Sequence, residues 1–484
     1  MTKAKTDKKP VAKGSGNKKT TIAAVKKPAS HQGAPKSTIA KEKVSARLTE
    51  KKNSKTYQHL MGFKDYLGKE FLTWDLATAK AWELARAYSF MPIKTPIIEE
   101  LGMYKKTTRS GQEKEFFVVD LDPGQKGVLR PELTQGMFRA YLENKSEESS
   151  LPTKLFSIGP VFRQEKVGGG RYREFTQLDL EIIGEAKPVS EALIINTAYR
   201  YLKELGLNFQ LQINSLGDQE ARRDYTNKLN AFFKERGRRT NLCNNCKKAL
   251  LKSPLALLDC REDGCLKARE GAPQIADFLS AESREHFSKV LEYLDDLNIP
   301  YNFNSYLVRG LNYYSETVFE FWPTGSDGSA NPRQALAAGG RCDSLLASLG
   351  GKESACGVAI GLERVTARLK EQNAVYKYPD EQGLIYVAQL SETARVRALL
   401  LLEELRLAGF NVRQSFSVDG LKAQLEEANN LQAKITLILG KKEIMEETIL
   451  MRDMESGVQE TLAIKKIKDK LDKKINRKVG VIYG

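Results

Sequence analysis

Residues 154–184 read KLFSIGPVFRQEKVGGGRYREFTQLDLEIIG, and the alternation within them decides the fold. Side chains of a strand point to opposite faces with a period of two. In the second half, Thr176, Leu178, Leu180 and Ile182 fall on one face, and Phe175, Gln177, Asp179 and Glu181 fall on the other. The first face is an ordinary packing surface for helices. The second joins an aromatic ring, an amide and two carboxylates. That mixture suits the floor of a site for a ligand carrying both charges; a solvated face with internal ion pairs is the competing reading. In the first half, Arg163 and Glu165 share a face, and a run of three glycines at 168–170 joins the two strands.

Working outward, LRPELTQG at 129–136 places Glu132 and Thr134 just after a proline that fixes the chain. A carboxylate and a hydroxyl so held suit an ammonium group, or mark a helix start. LVRGLNYYSETVFE at 307–320 carries Arg309, whose fork matches a carboxylate or phosphate, and Tyr313 with Tyr314, which line a pocket for a flat ring or pack as core. AAGGRCD at 337–343 is a further glycine-rich element. CGVAIGLER at 356–364 reads as a small-residue strand entering a helix. Gly361 there lets a ligand approach the backbone, and Arg364 at the helix start suits a triphosphate. The chain has no GxxxxGK[ST] loop.

Of the six cysteines, Cys243, Cys246, Cys260 and Cys265 have short outer spacings that suit a tetrahedral zinc ion, with free thiols as the alternative. Cys342 and Cys356 stand apart from them. The three histidines are His31, His59 and His286, none of them close in sequence to these motifs. That argues against Ser-His-Asp chemistry and multi-histidine metal sites.

A length of 484 residues allows two to four domains, and 41% apolar residues suffice for a real core. The net charge of +16 is unevenly spread. Residues 1–55 hold 15 lysines and one arginine against three acids, a charge of +13; the remaining 429 residues carry 61 basic and 58 acidic groups. The basic character therefore belongs to segment 1–55, which is expected to be a disordered tail. It reads either as a polycation holding RNA through counterion release or as a solubilising extension. The absence of a long apolar run, of an apolar core after the lysine-rich start and of an arginine-rich leader predicts a soluble, cytoplasmic protein without membrane contact. The sequence predicts a helix over 71–88 with Leu72, Leu76, Ala79 and Leu84 recurring at helical spacing, and a mostly helical insertion over about 219–302. It predicts a catalytic domain over 56–375, a polar linker over 371–382, and a separate α/β domain over 383–484. In that last domain three strands, 384–390, 411–416 and 435–439, alternate with helices at 391–408 and 421–430, implying a parallel or mixed sheet.

Taken together, these segments resemble the histidyl-tRNA synthetases of the class II aminoacyl-tRNA synthetases, from about Met61 to the C-terminus. Thr95–Glu99 resembles the first class motif, which contributes to the dimer interface. Phe162–Glu165 with Arg171–Phe175 resembles the second, and Gly361–Arg364 the third. LVRGLNYYSETVFE and AAGGRCD resemble the two signatures specific to the histidine enzyme, and LKAQLEEANNLQAKITLILGKKE at 421–443 resembles the anticodon-binding domain. There Lys422, Lys434, Lys441 and Lys442 face phosphates or bases, or simply solvent.

The resemblance implies an α/β chain: an α+β catalytic core built on a class II antiparallel sheet flanked by helices, a helical insertion, and a C-terminal α/β anticodon-binding domain. It implies a homodimer that uses ATP with Mg²⁺, L-histidine and tRNA(His). Arg163 would grip the α-phosphate, Glu165 and Phe175 would hold the adenine, and Arg364 would hold the γ-phosphate end beside Gly361. Glu132, Thr134 and Gln177 would hold the α-amino group, and Glu181 and Tyr314 the imidazole, with Tyr313 lining the pocket. Arg309 would be the catalytic arginine. Three positions depart from the family pattern: Asn312 where Asp is usual, Cys342 where Tyr is usual and Ser344 where Gly is usual. Competing functions are a non-catalytic synthetase-like regulatory subunit of histidine biosynthesis, and an RNA-binding protein on a degenerate synthetase scaffold.

Overall fold

The computed structural model describes residues 57–108, 112–145, 151–251, 253–260, 262–308, 313–325, 327–372, 383–415 and 420–475. Segment 1–55, Arg309, Asn312 and most of the linker lie outside the described residues.

In chain order the strands are β1 (Met91–Pro92), β2 (Ile98–Glu100), β3 (Phe117–Asp122), β4 (Gln125–Leu129), β5 (Thr153–Phe162), β6 (Glu174–Ile183), β7 (Phe209–Ser215) and β8 (Tyr301–Phe303). There follow β9 (Ser315–Pro323), β10 (Ala337–Arg341), β11 (Ala355–Gly361), β12 (Ile385–Gln389), β13 (Val412–Gln414), β14 (Ile435–Leu439), β15 (Thr448–Asp453) and β16 (Gln459–Ala463). An eight-stranded sheet has the order β1-β5-β6-β11-β10-β9-β7-β8. Its two outer pairs, β1–β5 and β7–β8, are parallel, and every other pairing in it is antiparallel. The antiparallel sheet expected from 154–184 is thus present, with β5 and β6 in register from Thr153↔Ile183 to Phe162↔Glu174.

The alternation along β6 separates two cores. Leu178, Leu180 and Ile182 join one cluster with Ala77, Ala81, Ile194, Val290 and Val365 from helices Lys69–Ala87, Val189–Glu204, Ala281–Asp296 and Leu362–Glu371. The opposite face is covered by helix Thr134–Asn144 and by the insertion, in a cluster that runs from Met137 and Phe138 through Tyr313 and Tyr314 to Leu257 and Cys265. The first helix is where the sequence places it, but its buried stripe is Thr73, Ala77, Ala81, Leu84 and Ala85, whereas Ala79 is exposed. Small residues at a four-residue spacing bring the helix backbone close to its neighbours, which leucines cannot do.

A three-stranded antiparallel sheet, β2-β4-β3, precedes the site. The sequence reading passed over it because charged residues interrupt its alternation. The segment 219–302 is helical as expected, with Asp218 and Ser280 accepting hydrogen bonds from Ala221 N and Ser283 N at the starts of two helices. In the C-terminal unit β12 pairs in parallel with β13 and β14, as the alternation of strands and helices predicts, and both β12 and β14 are buried throughout. Two further antiparallel strands, β15 and β16, extend the sheet beyond the three expected. β16 alternates exposed and half-buried positions at the sheet edge, so its sequence carries too little apolar signal to be read as a strand.

Candidate active site

The row Phe175, Gln177, Asp179 and Glu181 lies on the floor of the large sheet, where small residues on β11 flank Gln177, Asp179 and Glu181 and Gly159 and Ser157 on β5 flank the first two of these. Gln177 sits between Gly159 and Gly361, and Asp179 between Ser157 and Ala359. Glu181 lies opposite Gly357, where a Cβ atom would overlap its carboxylate oxygens. Asp179 and Glu181 are 0% and 1% exposed. Above them Thr134, the first residue of its helix, donates its hydroxyl to Glu181 Oε1 at 2.8 Å and lies 3.2 Å from Asp179 Oδ2. Glu132 meets both readings of LRPELTQG. Its Oε1 accepts from Gln135 N at 3.1 Å, capping the helix, while its Oε2 accepts from the Tyr313 hydroxyl at 3.0 Å in the site.

These contacts leave acceptors over. Gln177 Oε1, Asp179 Oδ1 and Glu181 Oε2 are buried without a hydrogen-bond partner. Unpaired buried acceptors cost free energy, so the row is built for donors from outside. Burial, then the Glu132 charge, pushes the Asp179 carboxyl up to about 8, and burial, then the Asp179 charge, holds Glu181 well above the carboxylate range. Burial raises Glu132 as well, against hydrogen bonds from Gln135 and Tyr313 that pull it down.

The other end of the cavity is cationic. Arg163 donates from Nε to the Pro131 carbonyl at 2.8 Å, stacks over Phe175 with its guanidinium 5.2 Å from the ring centre, and lies 3.6 Å from Glu165. Arg364, at the start of the helix after β11, donates to the Ala335 carbonyl at 2.7 Å, and burial lowers its pKa. Glu363 accepts from Thr176 N and from the Tyr66 hydroxyl, joining that helix to β6. One cavity of about 470 Å³ is lined by Glu132, Thr134, Arg163, Glu165, Phe175, Gln177, Tyr313, Tyr314, Gly361 and Arg364. Glu181 lies beneath it and is not in its wall.

Further residues support or line the cavity. Arg130, 4% exposed, donates to the Thr95 and Pro160 carbonyls and so ties the first motif to β5. Tyr104, Thr107, Gln135, Asp259 and Glu320 also line the cavity. No spacing rule marks them, because each is brought in by a different element. One histidine, distant in sequence, meets a motif in space. His286 Nε2 is 2.7 Å from Glu191, which also takes two hydrogen bonds from Arg341 of AAGGRCD. Burial opposes ionisation of Glu191, but His286 and Arg341 together lower it to about 2. This histidine reaches the motif from a helix far away in sequence and holds its scaffold outside the cavity wall.

Two departures find a structural place. Ser344 donates to the Tyr313 carbonyl at 2.6 Å, and Cys342, 1% exposed, donates its backbone N–H to Ala355 O at 2.8 Å. Burial, then the Glu181 charge, pushes the Cys342 thiol up. In the insertion, the Sγ atoms of Cys243, Cys246, Cys260 and Cys265 all lie within 4.8 Å of one another, a separation that fits four thiolates around one tetrahedral ion. Cys243 Sγ already accepts from Cys246 N, and its thiol is lowered to about 7, chiefly by that backbone hydrogen bond.

The sequence profile described as histidyl-tRNA synthetase matches residues 62–365, and that of an anticodon-binding domain matches residues 384–474. The chain is 33% identical over 87% of its length to the whole of a protein named histidine–tRNA ligase from Dehalococcoides mccartyi. It is 37% identical over 83% of its length to 94% of one of the same name from Halalkalibacterium halodurans. Its structure matches that of apo histidyl-tRNA synthetase from S. aureus with a TM-score of 0.71 at 28% identity, covering 86% of this chain and all of that one. The chain belongs to the histidyl-tRNA synthetase family.

Two predictions follow from this geometry. Gly357→Ala should displace the Glu181 carboxylate and, on the imidazole contact that the family resemblance implies for Glu181, raise the KM for histidine at least ~10-fold, the loss of a charged hydrogen bond of roughly 1.5–3 kcal/mol. The KM for ATP should change far less, and steady-state kinetics would separate the two. A carboxyl whose folded pKa is raised contributes stability at pH below its unfolded value, lost as pH rises through the folded value. The ligand-free protein should therefore lose several degrees of Tm between pH 5 and 9, a size roughly expected for a large domain. Asp179→Asn should flatten that slope; an unchanged slope would remove Asp179 as its source.

Proposed function

We propose, from its place in the histidyl-tRNA synthetase family, that this chain is a histidine–tRNA ligase. It activates L-histidine with ATP to histidyl-adenylate and transfers the histidyl group to tRNA(His), releasing diphosphate and then AMP. The observation that carries the reading is the pairing of buried, unpartnered acceptors with an arginine-lined half of one cavity. A cationic amino acid and an anionic nucleotide fit those two ends.

In this reading Glu132, Thr134 and Gln177 hold the α-amino group, and Glu181 and Tyr314 meet the imidazole, with Tyr313 beside them. Phe175 stacks on the adenine, with Glu165 beside it. Arg163 and Arg364 take the α- and γ-phosphate ends, next to Gly361. A histidine carboxylate oxygen attacks the α-phosphorus, the bond to the bridging oxygen breaks, and diphosphate leaves with the electron pair. A terminal ribose hydroxyl of the tRNA then attacks the activated carbonyl, and AMP departs. The first step needs alignment and charge neutralisation rather than a proton acceptor. Magnesium accompanies the triphosphate and supplies part of that neutralisation. Arg309, outside the described residues, is assigned the carboxylate and α-phosphate contact by family resemblance.

The finer readings rest on separate observations. Ile97, Ile98, Val118 and Leu121 are 40–48% exposed on and beside the sheet β2-β4-β3, an apolar surface that supports a homodimer. The four thiols within 4.8 Å support a structural zinc ion held by Cys243, Cys246, Cys260 and Cys265. The sheet over residues 384–474 supports anticodon binding, and the proposed domains 56–375 and 383–484 contain the matched stretches 62–365 and 384–474. No helix among the described residues is long and apolar enough to cross a membrane; a cytoplasmic location is proposed from the family resemblance. The regulatory-subunit reading is disfavoured, because relatives matched over nearly their whole length are ligases and the anticodon-binding domain is kept.

Purified protein with ATP and magnesium should catalyse ATP–pyrophosphate exchange with histidine and with no other amino acid. Arg163→Ala should lower kcat by about 10²–10³, the usual loss of one transition-state donor. Exchange with a different amino acid, or none from folded wild type, would overturn the assignment. Elemental analysis should find one zinc per chain, lost in Cys265→Ser; a metal-free native protein would leave the cluster as free thiols.

A further inference from the structure

Asp179 stands in the middle of the buried row, between Gln177 and Glu181, and the proposed assignments leave it without a role. It is 0% exposed. Its Oδ2 lies 3.2 Å from Thr134 Oγ1, and the same hydroxyl lies 2.8 Å from Glu181 Oε1. We propose that Asp179, Thr134 and Glu181 share one proton in the ligand-free protein and that the ammonium group of the incoming amino acid expels it, which makes Asp179 a positioning residue whose charge appears only on binding. The proposal deepens the ligase reading and rests on it for the identity of the ligand.

Two contacts along this line need two hydrogens. Thr134 has one hydroxyl hydrogen and donates to one carboxylate at a time. Both contacts close when a carboxyl carries the second: a protonated Asp179 donates from Oδ2 to Thr134 Oγ1, and Thr134 donates to Glu181 Oε1. With both acids ionised, two anions on one strand face would compete for a single hydrogen away from water. Asp179 Oδ1 and Glu181 Oε2 are buried with no hydrogen-bond partner among the described residues, so no further donor there offsets the second charge.

The groups around Asp179 favour the shared proton. β5 and β11 bring Ser157 and Ala359 to its level, and neither is charged. Glu181 on its own strand and Glu132 before the helix are acids, and the Cys342 thiol lies on the Glu181 side. The cations in reach are Arg163 and Arg130. Arg130 donates to the Thr95 and Pro160 carbonyls, and Arg163 Nε to that of Pro131. Burial, then the Glu132 charge, outweighs both and lifts Asp179 to about 8. An ammonium group held by Thr134 and Gln177 reverses the balance, because a positive charge beside the trio favours its ionised form. The carboxyl O–H bond breaks, its electron pair stays on the carboxylate, and the proton passes to water through the cavity that Thr134 lines.

The test titrates histidine into wild type and Asp179→Asn by calorimetry, at neutral pH, in buffers of different ionisation enthalpy. The dependence of the heat on the buffer counts the protons released. Wild type should release about one proton more per histidine than Asp179→Asn, whose amide donates to Thr134 as the neutral acid does but has no proton to give. Subtracting the variant cancels any proton that the imidazole itself takes up. The ratio of wild-type to variant affinity should rise with pH by up to about 10-fold per unit. It should level off above the Asp179 value of about 8. In infrared difference spectra of wild type, histidine should remove a protonated-carboxyl C=O band. Equal proton release in the two proteins, or a ratio flat with pH, overturns the proposal. So does wild type that binds histidine and keeps the band, a result that needs no variant to fold. Wild type that binds histidine with proton release but catalyses no histidine-dependent pyrophosphate exchange would defeat the ligase reading and leave the inference standing. Wild type that binds no histidine would defeat both.

Discussion

Carboxylates buried on one sheet face set the terms for everything around them. Glu132, Asp179 and Glu181 are each less than a tenth exposed, and burial raises all three, with the Glu132 charge adding to the rise at Asp179 and the Asp179 charge to that at Glu181. Like charges taken out of water are costly unless a cation or hydrogen-bond donors meet them. The small residues on β5 and β11 exist in this arrangement to admit side chains that no apolar core would hold. The helix start at Thr134 supplies one hydroxyl, and Tyr313 another. These donors satisfy some lone pairs and leave others, and in the proposed reading an amino acid with two donor ends completes the set.

The cationic half depends on the same sheet. Arg163 leaves β5 just as β6 brings Phe175 across from Val161, so one hairpin presents both the guanidinium and the ring it stacks upon. Its Nε is spent on the Pro131 carbonyl, next to Glu132, which fixes the distance between the acidic and basic ends. Separation of charge within one cavity is the chemistry a carboxylate attacking a phosphate requires: the nucleophile and electrophile arrive oriented, and no group must move a proton. His286 is therefore free to serve elsewhere, as a partner to the buried Glu191–Arg341 pair.

Much of this was legible before any coordinates. Period-two alternation in 174–183 places the polar row and the leucine face correctly, because a buried strand tolerates no slip in register. The helical insertion and the alternating C-terminal unit follow from periodicity as well. Three things were hidden. Glu132 serves as cap and site at once, so its two readings were not alternatives. Arg130 and His286 make contacts between elements distant in sequence, and Asp259 lines the cavity from the insertion, which no local pattern records. The strands β2 to β4 and β15 to β16 are short, charged or edge-exposed, and gain their regularity from pairing rather than from composition.

The departures from the family pattern bear on selectivity in a specific way. At Cys342 a thiol stands beside Glu181 where the family has a phenol, and a thiol is a weak hydrogen-bond donor. Glu181 Oε2 is without a hydrogen-bond partner among the described residues, and in the proposed reading its stabilisation comes from the ligand. An amino acid that lacks a ring N–H at that point would leave a carboxylate oxygen buried and unpaired. Sites built on such a pairing reject analogues by roughly 10⁴–10⁵-fold. In the proposed reading, the missing phenol thus transfers the burden of recognition to the carboxylate row instead of removing it. The Ser344 hydroxyl, which donates to the Tyr313 carbonyl, holds the neighbouring ring in place while it does so.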